Sequence, residues 1–165
     1  MSHIRGPGSS RRGSRGVGAP GAAPVVEKVV EDLRTGRFER SLAAMAAAGA
    51  AITAVEIFTE HDSASFGNKM MWWPIFVVPT LAPAGVAAVA NKKAAKTVLP
   101  IASAMVIANG LQGTFLHWRG ILQKPGGLHN FVYNLEMGPP VFAPLLATMV
   151  GGMGLVASLL RREGD

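Results

Sequence analysis

Four apolar stretches, each close to the ~20 residues that an α-helix needs to cross a hydrocarbon core, dominate this chain. They occupy 41–60, 70–91, 97–118 and 138–160. The first carries Glu56 within it and Glu60 at its end; the other three hold no Asp, Glu, Lys or Arg. A helix that is apolar all round must be buried in protein or in lipid. Charged residues make up only 16% of the chain, against about 25% in ordinary soluble domains. The pattern predicts an all-α integral membrane protein, a four-helix up-down bundle spanning residues 40–162.

The flanking segments read differently. Residues 1–24 are rich in Gly, Ser, Pro and Arg, too polar to bury a core, and predict a disordered basic tail. Its arginines precede no apolar run of the kind a signal peptide carries. In 25–39, Val26, Val29, Val30 and Leu33 recur at helical spacing among charges, which predicts an amphipathic interfacial helix. Pro74, Pro100, Pro139 and Pro140 fit the first turns of their helices. Pro79 and Pro83 fall inside the second stretch and predict a kink there, and Pro144 predicts a bend early in the fourth. Ala46, Ala50, Gly110, Gly113, Gly151, Gly152 and Gly154 are small residues of the kind that lets helices approach closely in lipid.

The basic residues set an orientation. Thirteen of the sixteen Lys and Arg lie in 1–40, in 91–96 and in the C-terminal tail. Only Lys69, Arg119 and Lys124 lie in the other two loops. The positive-inside rule then puts both termini in the cytoplasm, in a bacterial plasma membrane, with the 60–70 and 117–136 loops outside. Trp72, Trp73 and Trp118 sit near that outer interface, where indoles commonly anchor.

On that outer side the sequence collects its ionisable groups. Glu56 and Glu60 are one helical turn apart, with Glu56 roughly 6 Å deeper. His61 and Asp62 follow where the first helix is expected to fray. Asn109 and Gln112 share a face of the third helix, where interhelical hydrogen bonding is the expectation. His117 ends that helix. The loop 117–137 is long for a helical hairpin and is expected to be partly structured. Leu128, Phe131, Val132 and Leu135 would pack a short helix on the bundle, and His129, Asn130, Asn134 and Glu136 would be presented outward.

Ionisable groups placed in or beside a membrane are costly, so such a set points to function. Histidine nitrogens and carboxylate oxygens together suit iron, zinc or manganese. The expectation is that Glu56, Glu60, His61, His117, His129 and Glu136 hold one or two such ions. Met70, Met71 and Met137 near the same face extend the choice to copper. Glu56, shielded by hydrocarbon, is the candidate general base, with redox chemistry on a quinone or lipid-like substrate entering from the bilayer. Two alternatives use the same residues. His61 and His117 would be axial ligands of a single haem b in an electron-transfer or quinone-linked subunit. Or the carboxylates pair with Arg119 or Lys69 and the chain is an accessory subunit of a larger membrane complex.

The absence of cysteine removes disulfides, thiolate metal sites and cysteine nucleophiles. No phosphate loop, dinucleotide fingerprint, HExxH or GxSxG occurs. The net charge of +6 is explained by topology, not by nucleic acid.

Overall fold

The computed structural model describes residues 22–160. Those residues are helical with no strand, in the order α1 Ala22–Thr35, α2 Arg37–Ser63, α3 Trp72–Val77, α4 Leu81–Ala90, α5 Lys92–Lys96, α6 Val98–Leu122, α7 Phe131–Glu136 and α8 Phe142–Leu159. Short 3-10 turns precede α3, α4 and α7. Four stretches are long and apolar enough to cross a membrane: Arg37–Ser63, Lys69–Ala90, Lys92–Leu122 and Phe142–Leu159. Ile52, Val55, Phe76, Ile101, Phe115 and Met149 all point out of the protein. Aqueous solvent penalises so much exposed apolar surface; lipid does not.

Several boundaries differ from expectation. The basic tail expected over 1–24 lies outside the described residues up to residue 21, and residues 22–24 already belong to α1. The helix expected over 25–39 stops at Thr35, because Gly36 takes a left-handed conformation (φ 74°) that breaks the helical run. Arg37–Glu39 therefore open α2, and Glu39 is buried rather than on a surface helix. Val26, Val29, Val30 and Leu33 of α1 are exposed. At its far end α2 continues through His61 and Asp62 to Ser63.

The second span is interrupted at Pro79, where Val78–Thr80 forms a 3-10 turn. Proline removes a backbone donor, and the tighter turn absorbs the loss. Pro83 adds no second break, since it falls in the first turn of α4. The third helix runs four residues past the expected end, to Leu122, so His117 sits one turn inside it. The fourth begins later than expected. Pro139 and Pro140 precede it, and α8 starts at Phe142, because a residue before proline is driven out of the helical region. Pro144 then lies in a first turn and bends nothing.

Helix α8 packs along α6 and α2, α2 packs along α4, and α4 touches α6. These contacts close a ring in which α2 and α6 are the diagonal pair and barely meet. At one end the ring is tight. A Cβ added to Gly85 would fall 2.7 Å from the Ala43 carbonyl oxygen, and one on Gly151 would fall 2.9 Å from Ile107 Cγ1. Only glycine allows those approaches. Lys96 fastens the same end, its Nζ donating to the Ser158 carbonyl at 2.9 Å and the Leu160 carbonyl at 2.6 Å. That satisfies carbonyls the end of α8 would leave unpaired.

Candidate functional site

At the opposite end the diagonal pair stays apart, and the gap is a cavity of about 830 Å³. Its walls come from α2, from the 63–74 segment, from α6 and from 138–147. The Gly138–Pro139–Pro140 segment takes the place of a further helical turn of α8. The volume suits a drug-sized ligand, for which pockets run about 300–1,000 Å³.

Glu56, Glu60, His61 and His117 all line this cavity. Asn109, Gln112 and Arg119 line it too. His129 and Glu136 do not: both are exposed residues of the 127–136 segment, outside the cavity wall. The six residues expected to surround metal ions are thus divided four and two. Among the described residues, no three His, Asp or Glu side chains converge closely enough to hold a metal ion. Glu56, the candidate general base, lies on the cavity wall as an exposed residue. Met70 and Met71 line the cavity, whereas Met137 is exposed outside it.

Both cavity histidines are held by backbone carbonyls. His61 Nδ1 lies 2.6 Å from the Ile57 carbonyl oxygen, one turn back along α2. His117 Nδ1 lies 2.8 Å from the Pro140 carbonyl oxygen, across the gap to the segment before α8. A carbonyl only accepts, so in each ring Nδ1 carries the proton and donates it. In the neutral ring Nε2 is then a lone-pair acceptor. The two imidazoles are near enough to interact electrostatically.

The wall also contains polar groups withdrawn from solvent. Asn109 is 7% exposed and Thr53 6% exposed, and both line the cavity. The interhelical hydrogen bonding expected of Asn109 and Gln112 is replaced by this placement: among the described residues neither side chain has a protein hydrogen-bond partner.

The mouth is shaped by the turn after α2. The amides of Ala64, Ser65 and Phe66 donate to the carbonyls of Glu60, Asp62 and His61. Ser65 (φ 55°) and Phe66 (φ 45°) both adopt left-handed backbone, a conformation that normally calls for glycine. The ring of Phe66 then stacks on Trp72 with centroids 4.2 Å apart and lies 6.4 Å from the His61 ring. Trp72 is exposed at this end, Trp73 lines the cavity, and Trp118 meets Phe131 edge-on at 5.8 Å.

The 123–137 segment is structured: His129, Asn130 and Glu136 are exposed as expected and Phe131 and Leu135 are half-buried, whereas Asn134, Leu128 and Val132 depart from expectation. Asn134, expected to be presented outward, is 1% exposed. Its Nδ2 donates to the carbonyls of Pro125 at 3.2 Å and Gly127 at 3.0 Å. Those bonds fix which side faces in, so Leu128 and Val132, expected to pack on the bundle, are 68% and 66% exposed. Lys124 Nζ donates to the Met137 carbonyl and closes the segment.

Comparison with protein-family models, with curated proteins and with solved structures finds no match to this chain.

Proposed function

We propose that this chain is a plasma-membrane protein, an up-down bundle with both ends cytoplasmic, whose outer cavity binds a small amphiphilic molecule drawn from the bilayer. The single observation that carries this reading is the 830 Å³ cavity itself, polar along Glu56, Glu60, His61 and His117 and apolar at Ile57, Leu116, Trp73 and Ala143. Such a division matches a polar head and an apolar body. The orientation rests on the positive-inside count. In the same frame α1 lies along the cytoplasmic surface with its valine face in the interfacial layer, and exposed Leu128 and Val132 seat the 127–136 segment in the outer interface.

The experiment uses Trp73 as a reporter. In a Trp72→Phe, Trp118→Phe background in phosphatidylcholine nanodiscs, a brominated dodecanol should quench Trp73 saturably. Filling the cavity with Ala143→Phe should remove the saturable component. Quenching that rises linearly with membrane content and ignores Ala143→Phe would contradict the reading.

A second reading is favoured by the ring tautomers. Backbone-held Nδ1 with Nε2 directed elsewhere is the arrangement of metal-ligating histidines. His61 and His117 as the axial pair of one haem b would use it. A first-row metal ion alone would need donors beyond these two. An absorption spectrum of the purified protein tests this: a Soret band lost in His117→Ala supports haem, and a colourless protein refutes it.

A further inference from the structure

We infer that the cavity selects an amphiphile with a positively charged head, an alkylammonium-type amine, over neutral or anionic molecules of the same shape. The inference rests on the proposed amphiphile site and names the chemistry of its ligand.

His61 and His117 each give their Nδ1–H to a backbone carbonyl, which leaves an Nε2 lone pair on each neutral ring. Glu56 and Glu60, when ionised, accept only. These four groups line one cavity and together offer lone pairs and negative charge, with no donor among them. A ligand head that meets them must bring hydrogens, positive charge or both.

A second observation points to a ligand independently. Asn109 lines the cavity more than nine-tenths buried, and among the described residues its amide has no protein partner. An unpartnered amide offers a carbonyl oxygen and an NH2 group together, so it favours a guest with a polar head, and an ammonium can donate to its oxygen.

The acceptors are distributed, not focused. No three His, Asp or Glu groups among the described residues converge on a point, which argues against a bare metal ion as the preferred guest. An ammonium head with several N–H groups can meet acceptors spread over a wall. Trp73 adds an aromatic face in the same cavity, and cations are drawn to indole faces. Arg119 is the one cationic side chain on the wall among the described residues, and it is exposed, where water screens its opposing charge.

The test is displacement of the brominated dodecanol from Trp73 by three single-chain competitors: dodecylamine, dodecanol and dodecanoate, compared at equal mole fraction in the bilayer. Dodecylamine should displace the quencher at about a tenth of the mole fraction that dodecanol needs, and dodecanoate should be weakest. Glu56→Gln and Glu60→Gln should each erase most of the amine preference while the alcohol still binds. Arg119→Gln should raise the preference, and His129→Ala, outside the cavity, should leave it unchanged. Equal displacement by amine and alcohol, or a preference for dodecanoate, overturns the inference while the amphiphile site stands. Failure of all three competitors to displace the quencher removes the site and the inference together.

Discussion

The two ends of the helical ring solve opposite problems. At one end, Ala43, Ala47, Gly85, Ser103 and Gly154 bring backbones into contact, and Lys96 fastens the end of α8. At the other, Pro79 interrupts one span, Gly138–Pro139–Pro140 delays another, and the diagonal helices enclose a cavity. Both ends are built largely from small residues and proline. Glycine packs both ends: a Cβ on Gly110, in the cavity wall, would fall 2.7 Å from the Pro144 carbonyl oxygen, as close as the Gly85–Ala43 approach. The difference lies at the start of α8, where Gly138–Pro139–Pro140 stands beside the cavity in place of a further helical turn.

The largest expected effect comes from breaking the tight end. Gly85→Val puts a side chain against the Ala43 backbone, and overpacking of a close-packed contact costs about 1–3 kcal/mol or more. Unfolding in mixed detergent micelles should show that loss. Gly152→Val is the control, since nothing lies within 4 Å of a Cβ there, and its unfolding should match the parent.

Next comes Lys96→Met, which deletes both bonds to the end of α8. Allowing for the exposure of Lys96, the loss should be about 1 kcal/mol, read in the same unfolding assay with Trp73 quenching unchanged. If quenching at the far cavity also falls, the two ends are coupled and the comparison fails.

The smallest effect is at the mouth. Ser65→Gly relieves a left-handed residue whose strain is worth roughly 1 kcal/mol. The variant should be slightly more stable, with Phe66 still stacked on Trp72, as read by the Trp emission maximum. A loss of stability would show that the serine contributes something other than strain.

Much of the scaffold was legible in the residues. Four spans follow from hydropathy alone, because lipid imposes a length and an absence of charge that no local propensity overrides. The interruption at Pro79 follows from a missing donor. His61 looks like a fraying end, but its bond to Ile57 and the three amide bonds after Ser63 extend α2 past it. Elsewhere local signals failed because distant groups decide. The partner of His117 is a carbonyl 23 residues away, invisible to spacing. Leu128 and Val132 look like packing residues until Asn134 claims the inner side. For the candidate site, the sequence pointed to Glu56, Glu60, His61 and His117 as companions. It also added His129 and Glu136, because sharing a loop is not sharing a wall. A signal for Thr53 and Asn109 was present: polar residues in apolar spans, near the depth of Glu56.

A cavity between α2 and α6 on the outer face requires residues 63 and 123 to share a side of the membrane. The chain has no cysteine, so single cysteines at Ser63, Gln123 and Lys93 can be read without background by a membrane-impermeant thiol reagent. In intact cells Ser63→Cys and Gln123→Cys should label, and Lys93→Cys only after permeabilisation. Labelling of positions 63 and 123 from opposite sides would separate α2 from α6 and leave no common cavity to bind anything.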